Sequence, residues 1–497
     1  MNASSGVGMI DGCKTDFRCV TLSSAAPESL GVAVATVRSG GWGLIDCREG
    51  ASPPELVNHR FDELIRRTAG AIGLPGLALN LVDAVNESLL AQLATVEHVL
   101  LVQLPADAEL DACKHLVNCP QRVLLLQAPI TWHLQHCSGD SLVSADQIDG
   151  WVVVGSELTR SDSDSSVFVV AQQALASTDR PVYAQGGFGP RATQAFRAMG
   201  CSGVILDEKT FSETPEAPRL LWAQEVVDPT RRAGDRRNVE IDEAITRMTV
   251  KVGKQYRSTG RLVRAIESGR ILPLTEYKPG TDPFSPGSAL AESHGTRFPI
   301  VQGPMTRVSD VPQFAVAVAD AGALPMLALG MMSGADARIL SRSTAALMGG
   351  RPWGVGILAF APTEIRDAQI TETLSARPDY VIISGGRPDQ AQQFEQEGIR
   401  AYLHVPTLGF LERFLDAGAR RFVFEGRECG GHVGRYGSLQ LWEQLGDALL
   451  DRSSSDDARE FHVLFAGGIH DRGRGHHLAL SPAPDRRARL HRGTFRH

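Results

Sequence analysis

The sequence predicts an α/β protein of tandem TIM-type (β/α)8 barrels, the second lacking its last βα unit, joined by a helical linker. Three observations lead there. Short apolar runs alternate with helical stretches along the whole chain, the pattern of βαβ units around a parallel sheet. Eight such runs fall in the first half within about two hundred residues, the size of a lean barrel. The two halves also repeat one another, at a spacing far longer than any solenoid unit.

In the first half, strands are expected near Phe17–Leu22, Trp42–Ile45, Leu77–Val82, His98–Val102, Arg122–Gln127, Trp151–Val154, Val182–Ala184 and Gly203–Leu206. In the second they are expected near Phe298–Val301, Leu324–Leu327, Gly354–Ala359, Tyr380–Ile383, Ala401–His404, Arg421–Phe424 and Val463–Phe465, where the count stops at seven. The repeat reads in order: SLGVAVATVRSGGWGLID (29–46) answers QFAVAVADAGALPMLALG (313–330), DGWVVVGSE (149–157) answers RRFVFEGRE (420–428), and RPVYAQGGFGPR (180–191) answers FHVLFAGGIHDR (461–472). Strand count alone leaves an open doubly wound sheet as the alternative for each half.

Residues 1–211 and 291–471 are therefore assigned to the barrels, and 212–290 to the linker. SETPEAPR and YKPGTDPFSPGS are rich in Pro, Gly and Ser, as linkers are, and they flank a stretch where Ile241, Ile245, Met248 and Val252 keep helical spacing. That helix is expected to pack on one or both barrels. The closing stretch, 472–497, is dense in Arg, His and Pro and shows neither period. It reads as an aberrant basic tail produced by truncation or a change of reading frame.

With 43% hydrophobic residues, 22% charged residues and a formal charge of −7, the chain has no feature pointing to nucleic acid or an anionic membrane. No apolar run approaches the ~20 residues that span a bilayer. The eight cysteines include no C-x-x-C pair, so reduced thiols in the cytoplasm are expected rather than a disulfide framework or a metal site.

Four segments of the second half fall at the C-terminal ends of expected strands, where such barrels place their sites. Gly303-Pro304-Met305 makes a tight turn after strand one, and Gly356 sits in a Gly-x-Gly at the end of strand three. After strand six, GRECGGHVG carries Gly430, Gly431 and His432, an imidazole able to move a proton near neutrality. After strand seven, Gly467-Gly468 opens toward an expected helix N-terminus, an arrangement that cradles phosphate. Each segment also has a purely structural reading, and only their combination is specific.

QGPM, GRECGGHVG and FAGGI, in this order, resemble the nitronate monooxygenase (2-nitropropane dioxygenase) family of FMN barrels. ISGGRPDQA (383–391) and GHVGRYGSLQLWEQL (431–445) are similar to the branch associated with polyketide and polyunsaturated fatty acid synthases, where the barrel acts as enoyl reductase. The resemblance implies that Met305 and its turn lie near the flavin, that Gly467 and Gly468 hold its phosphate, that Gly430 and Gly431 line cofactor or substrate, and that His432 is catalytic. It implies FMN, with NAD(P)H as reductant, and an acyl-carrier-bound enoyl thioester or a small nitronate as substrate. Gly356 stands where many nitronate monooxygenases carry Asn, which points toward the synthase branch. The first half keeps the architecture and drops the chemistry. Leu22-Ser23-Ser24 replaces QGPM, Ser161 falls near the place of His432, and Asn80 falls near the strand-three position. Only Gln185-Gly186-Gly187-Phe188 keeps phosphate-loop character, so the half reads as a degenerate copy, able to hold a phosphate group or serving a docking or scaffold role. A non-catalytic module or inactive fragment is the rival reading for the whole chain. The catalytic reading requires the loops after strands one, six and seven to meet at one mouth.

Overall fold

Backbone groups dictate the architecture: strands buried on both faces must pair along both edges, and a closed sheet leaves none open. The computed structural model describes residues 17–24, 30–48, 53–81, 93, 95–105, 122–128, 148–155, 165–186, 189–207, 211–214, 217–220, 256–270, 285–431, 433–434, 436–453, 461–469 and 491–496. In it, both halves are closed parallel barrels of eight strands.

The first barrel consists of β1 (Arg18–Ser24), β2 (Trp42–Asp46), β3 (Pro75–Asn80), β4 (His98–Gln103), β5 (Arg122–Gln127), β6 (Gly150–Val154), β7 (Val182–Gln185) and β8 (Gly203–Asp207), with β1 closing on β8. Its described helices are α1 (Leu30–Arg38), α2 (Pro54–Thr68), α3 (Val167–Ser177) and α4 (Pro190–Met199). Strand alternation sends Val20, Leu22, Leu44, Leu101, Leu125, Val152 and Ile205 inward, where they fill the barrel with apolar volume. All eight expected strands are present.

Where a linker is expected, β9 (Phe211–Thr214) and β10 (Ala217–Leu220) form an antiparallel ribbon, so SETPEAPR is a hairpin rather than a plain connector. Two facing edges satisfy one another's backbone groups there, which composition alone does not reveal. The Ile241–Val252 stretch lies outside the described residues. A helix does follow it, α5 (Thr259–Ser268), capped by Ser258. It buries Leu262, Val263 and Ile266 on the first barrel, and Arg197 donates to the Ile266 and Glu267 carbonyls at 2.7 and 2.5 Å.

The second barrel runs β11 (Ile300–Gln302), β12 (Leu324–Ala328), β13 (Gly354–Leu358), β14 (Tyr380–Ser384), β15 (Arg400–His404), β16 (Arg421–Glu425), β17 (His462–Ala466) and β18 (His491–Arg496). Its helices are α6 (Ala289–His294), α7 (Pro312–Asp320), α8 (Gly334–Met348), α9 (Thr363–Ala376), α10 (Pro388–Gln396), α11 (Leu408–Asp416) and α12 (Ser438–Ser453). The expected seven strands are joined by an eighth, which corrects the reading of the closing stretch as a tail outside the barrel. HRGTFR pairs in parallel with both β17 and β11. Seven strands would leave two rows of backbone groups unpaired, and that demand outweighs the weak apolar pattern of the segment. At the opposite end, α6 plugs the floor: His294 Nε2 lies 2.8 Å from the Tyr402 hydroxyl, and Tyr380 donates to the Ser293 carbonyl at 2.8 Å. Among the described residues no helix is long and apolar enough to cross a membrane.

Candidate active site

Parallel strands all end at one mouth, and there the loops singled out above meet. Gly303-Pro304-Met305 leaves β11 directly. Buried Gln302 fixes the turn, donating to the Gly303 carbonyl and accepting from the Met326 amide at 3.2 Å. The Met305 amide donates to Ser309 Oγ at 2.8 Å. The Pro304 ring stands where a Cβ on Gly356 would be, so the glycine at strand three is required by this proline. The loops after the first and third strands are thereby pressed together.

The loop after β16 is tied at both ends. Arg427 N donates to the Tyr436 carbonyl at 2.8 Å, and Glu428 Oε2 accepts from Ser438 N at 2.7 Å and Ser438 Oγ at 2.6 Å, satisfying the start of α12. Gly430 and Gly431 are exposed at its tip, and Gly431, at φ 92°, has open space where a Cβ would stand. His432 lies outside the described residues. Cys429 is buried, and burial followed by the charges of Glu425 and Glu428 pushes its thiol far above its ordinary range. A buried thiol that holds its proton this strongly is a weak nucleophile.

After β17, Gly467 and Gly468 take φ of 119° and 69°. A Cβ on Gly467 would strike the Ser438 hydroxyl, so the loops after strands six and seven are in contact. The amides of Gly467, Gly468 and Ile469 are buried and find no acceptor among the described residues. Buried N–H groups are nearly always paired. Successive free amides of this kind are the groups that bind anions elsewhere. The helix expected beyond them lies outside the described residues.

Sequence reasoning missed one pair at this mouth. His404 and Glu425 end β15 and β16, two residues beyond the inward-facing Tyr402 and Val423, so both point into the barrel. His404 Nδ1 is 2.7 Å from Glu425 Oε2, each side chain 16% exposed. The carboxylate fixes the ring and leaves Nε2 for another partner. The signal was present in the phase of the strands.

At the mouth of the first barrel the described polar side chains bind one another. Arg48 donates to Asp46, two residues back at the end of β2, at 2.7 and 2.8 Å and to Gln127 at the end of β5 at 2.5 Å, and Asn80 donates to the Arg48 carbonyl at 2.9 Å. Asn80, at the strand-three position, is thus committed to the chain itself. Ser161 lies outside the described residues.

No family model matches the chain. A nitronate monooxygenase of Paraburkholderia phytofirmans (strain DSM 17436 / LMG 22146 / PsJN) is 28% identical over 221 residues, which is 37% of this chain and 60% of the relative. The chain therefore spans about three fifths of that relative's length. Among solved structures, FabK from Thermotoga maritima is 24% identical with a TM-score of 0.34, covering 41% of this chain and 60% of its own. Nitroalkane oxidase from Streptomyces ansochromogenes is 22% identical with a TM-score of 0.34, covering 41% and 66%. The enoyl reductase domain of MlnA, from the macrolactin biosynthesis cluster of Bacillus amyloliquefaciens, is 12% identical with a TM-score of 0.32, covering 41% and 55%. The family resemblance read from the motifs is thus met by a curated relative bearing the same family name.

Proposed function

We propose that the second barrel is an FMN-dependent oxidoreductase of the nitronate monooxygenase-like type, reducing an enoyl thioester. The observation that carries this reading is the run of amides at buried Gly467, Gly468 and Ile469, without an acceptor among the described residues, beside the Gly430–Gly431 loop. These amides would hold the FMN phosphate, and the close packing around Gly467 leaves room for backbone alone. Gly303, Pro304, Met305 and Gly356 would border the flavin, and Gly430 and Gly431 the space beside it. Bound FMN supplies hydride transfer, with NAD(P)H as its reductant.

What falls to the chain is binding, orientation and the proton. His432 is assigned proton transfer to the carbon next to the thioester carbonyl. His404, held through Nδ1 by Glu425, keeps Nε2 as a second proton carrier at the same rim. The substrate would be an α,β-unsaturated acyl group on a carrier protein, within a polyketide or polyunsaturated fatty acid synthase. The first barrel, whose Arg48 is held by Asp46 and Gln127 at the strand ends, serves as a scaffold. Oxidation of a nitronate is the second reading, favoured by the name of the curated relative; His432 would then remove the acidic proton from carbon.

The test is turnover of purified protein loaded with FMN, offered either an enoyl thioester with NAD(P)H or an alkyl nitronate with oxygen. Faster consumption of the thioester supports the first reading, and faster consumption of the nitronate replaces it with the second. Flavin-loaded protein inert toward both leaves the scaffold reading standing.

A further inference from the structure

We infer that the first barrel sets the anion loop of the second, with Gln172 as the positioning residue; this rests on the FMN reading above. The helices after the sixth strand of each barrel, α3 and α12, pack against one another, and Phe168 meets Trp442 edge-on with ring centroids 5.8 Å apart. Each sends its sixth residue into the loop after the other barrel's seventh strand.

From α3, fully buried Gln172 donates through Nε2 to the Gly468 carbonyl at 2.7 Å and to the Phe168 carbonyl at 3.1 Å. Both neighbours are carbonyls, so the amide can present only its NH2 group to them. From α12, Glu443 accepts from Gly189 N at 2.7 Å and Arg191 N at 2.8 Å, at the start of α4. A Cβ on Gly189 would collide with that carboxylate. In the first barrel two amides after strand seven thus already face a carboxyl side chain of the protein itself.

Gln172 decides where those amides point. The chain has no cis peptide among the described residues, and in a planar trans peptide N–H and C=O point opposite ways. Fixing the Gly468 carbonyl on Gln172 therefore turns the Ile469 N–H away from α3 and across the loop. Phe168 and Val169 lie 3.1 and 3.2 Å from where a Cβ on Gly468 would stand, so the same helix also holds this left-handed residue in place.

Flavin fluorescence titrations separate this role from a general one. Met keeps the length of Gln172 without the donor, and Gln172→Asn keeps the amide but shortens its reach. Both Gln172→Met and Gln172→Asn are expected to weaken FMN binding about tenfold, the worth of one buried hydrogen bond. Riboflavin, which lacks the phosphate, should bind each variant as it binds wild type. Unchanged FMN affinity, or an equal loss of both flavins, would overturn the assignment of Gln172. Wild-type protein that binds neither flavin would overturn the FMN reading itself, before any substitution is made.

Discussion

Replacing Glu443 with glutamine probes the docking of the two barrels. Both carboxyl oxygens of this buried side chain accept from amides of the first barrel. Glutamine offers one acceptor oxygen, and its NH2 group would meet the other amide donor to donor. One buried N–H left unpaired costs about 1–3 kcal/mol. The effect of pH is opposite in sense to that of an ordinary exposed carboxylate. Burial, then Asp447, push Glu443 from 4.5 up to about 8, against the pull of the Arg191 and Ala192 amides and the Arg191 guanidinium. The charged or titratable groups around it are Asp447 on its own helix, Arg191 on α4 and Tyr256 ahead of α5. A folded value above the unfolded one means the native state holds the proton more tightly. Its contribution is complete below 4.5 and lost as pH rises through about 8. Across that window the loss is on the order of 5 kcal/mol. Urea unfolding of wild type and Glu443→Gln over the same window is the assay. The stability advantage of wild type should shrink as pH rises and reverse within the window. Parallel pH dependence of the two proteins would refute the reasoning.

Three further outcomes are expected. His432→Ala should cut turnover while FMN stays bound; full activity in that variant would remove His432 from the mechanism. Gly356→Ala places a methyl group in the Pro304 ring and should cost about 1–3 kcal/mol of overpacking, read as a lower urea midpoint, whereas an unchanged midpoint would show that the turn yields freely. Cys429, its thiol held protonated by burial and the neighbouring carboxylates, should resist iodoacetamide in the native protein; rapid alkylation located by peptide mass would contradict that.

Fifteen strands were legible because Val, Ile and Leu runs buried on both faces carry their signal locally. The eighth strand of the second barrel was not. HRGTFR has little apolar character, and its place follows from two open neighbours that no local window sees. The glycine loops were legible as motifs. Their physical content was not: Gly356 and Gly467 answer to Pro304 and Ser438, far away in sequence. The contacts of Gln172 with Gly468 and of Glu443 with Gly189 span 296 and 254 residues, so no spacing rule could reach them. His404 and Glu425 were within reach, since strand phase alone turns both inward.

Flavin stoichiometry tests the central claim most directly. Purified wild-type chain reconstituted with FMN should hold one flavin per chain, and Gly467→Val, whose side chain must displace the Ser438 hydroxyl, should hold none while remaining folded by circular dichroism. Colourless wild-type protein, or flavin retained by Gly467→Val, would mean that the loop after the second barrel's seventh strand is not where the cofactor binds.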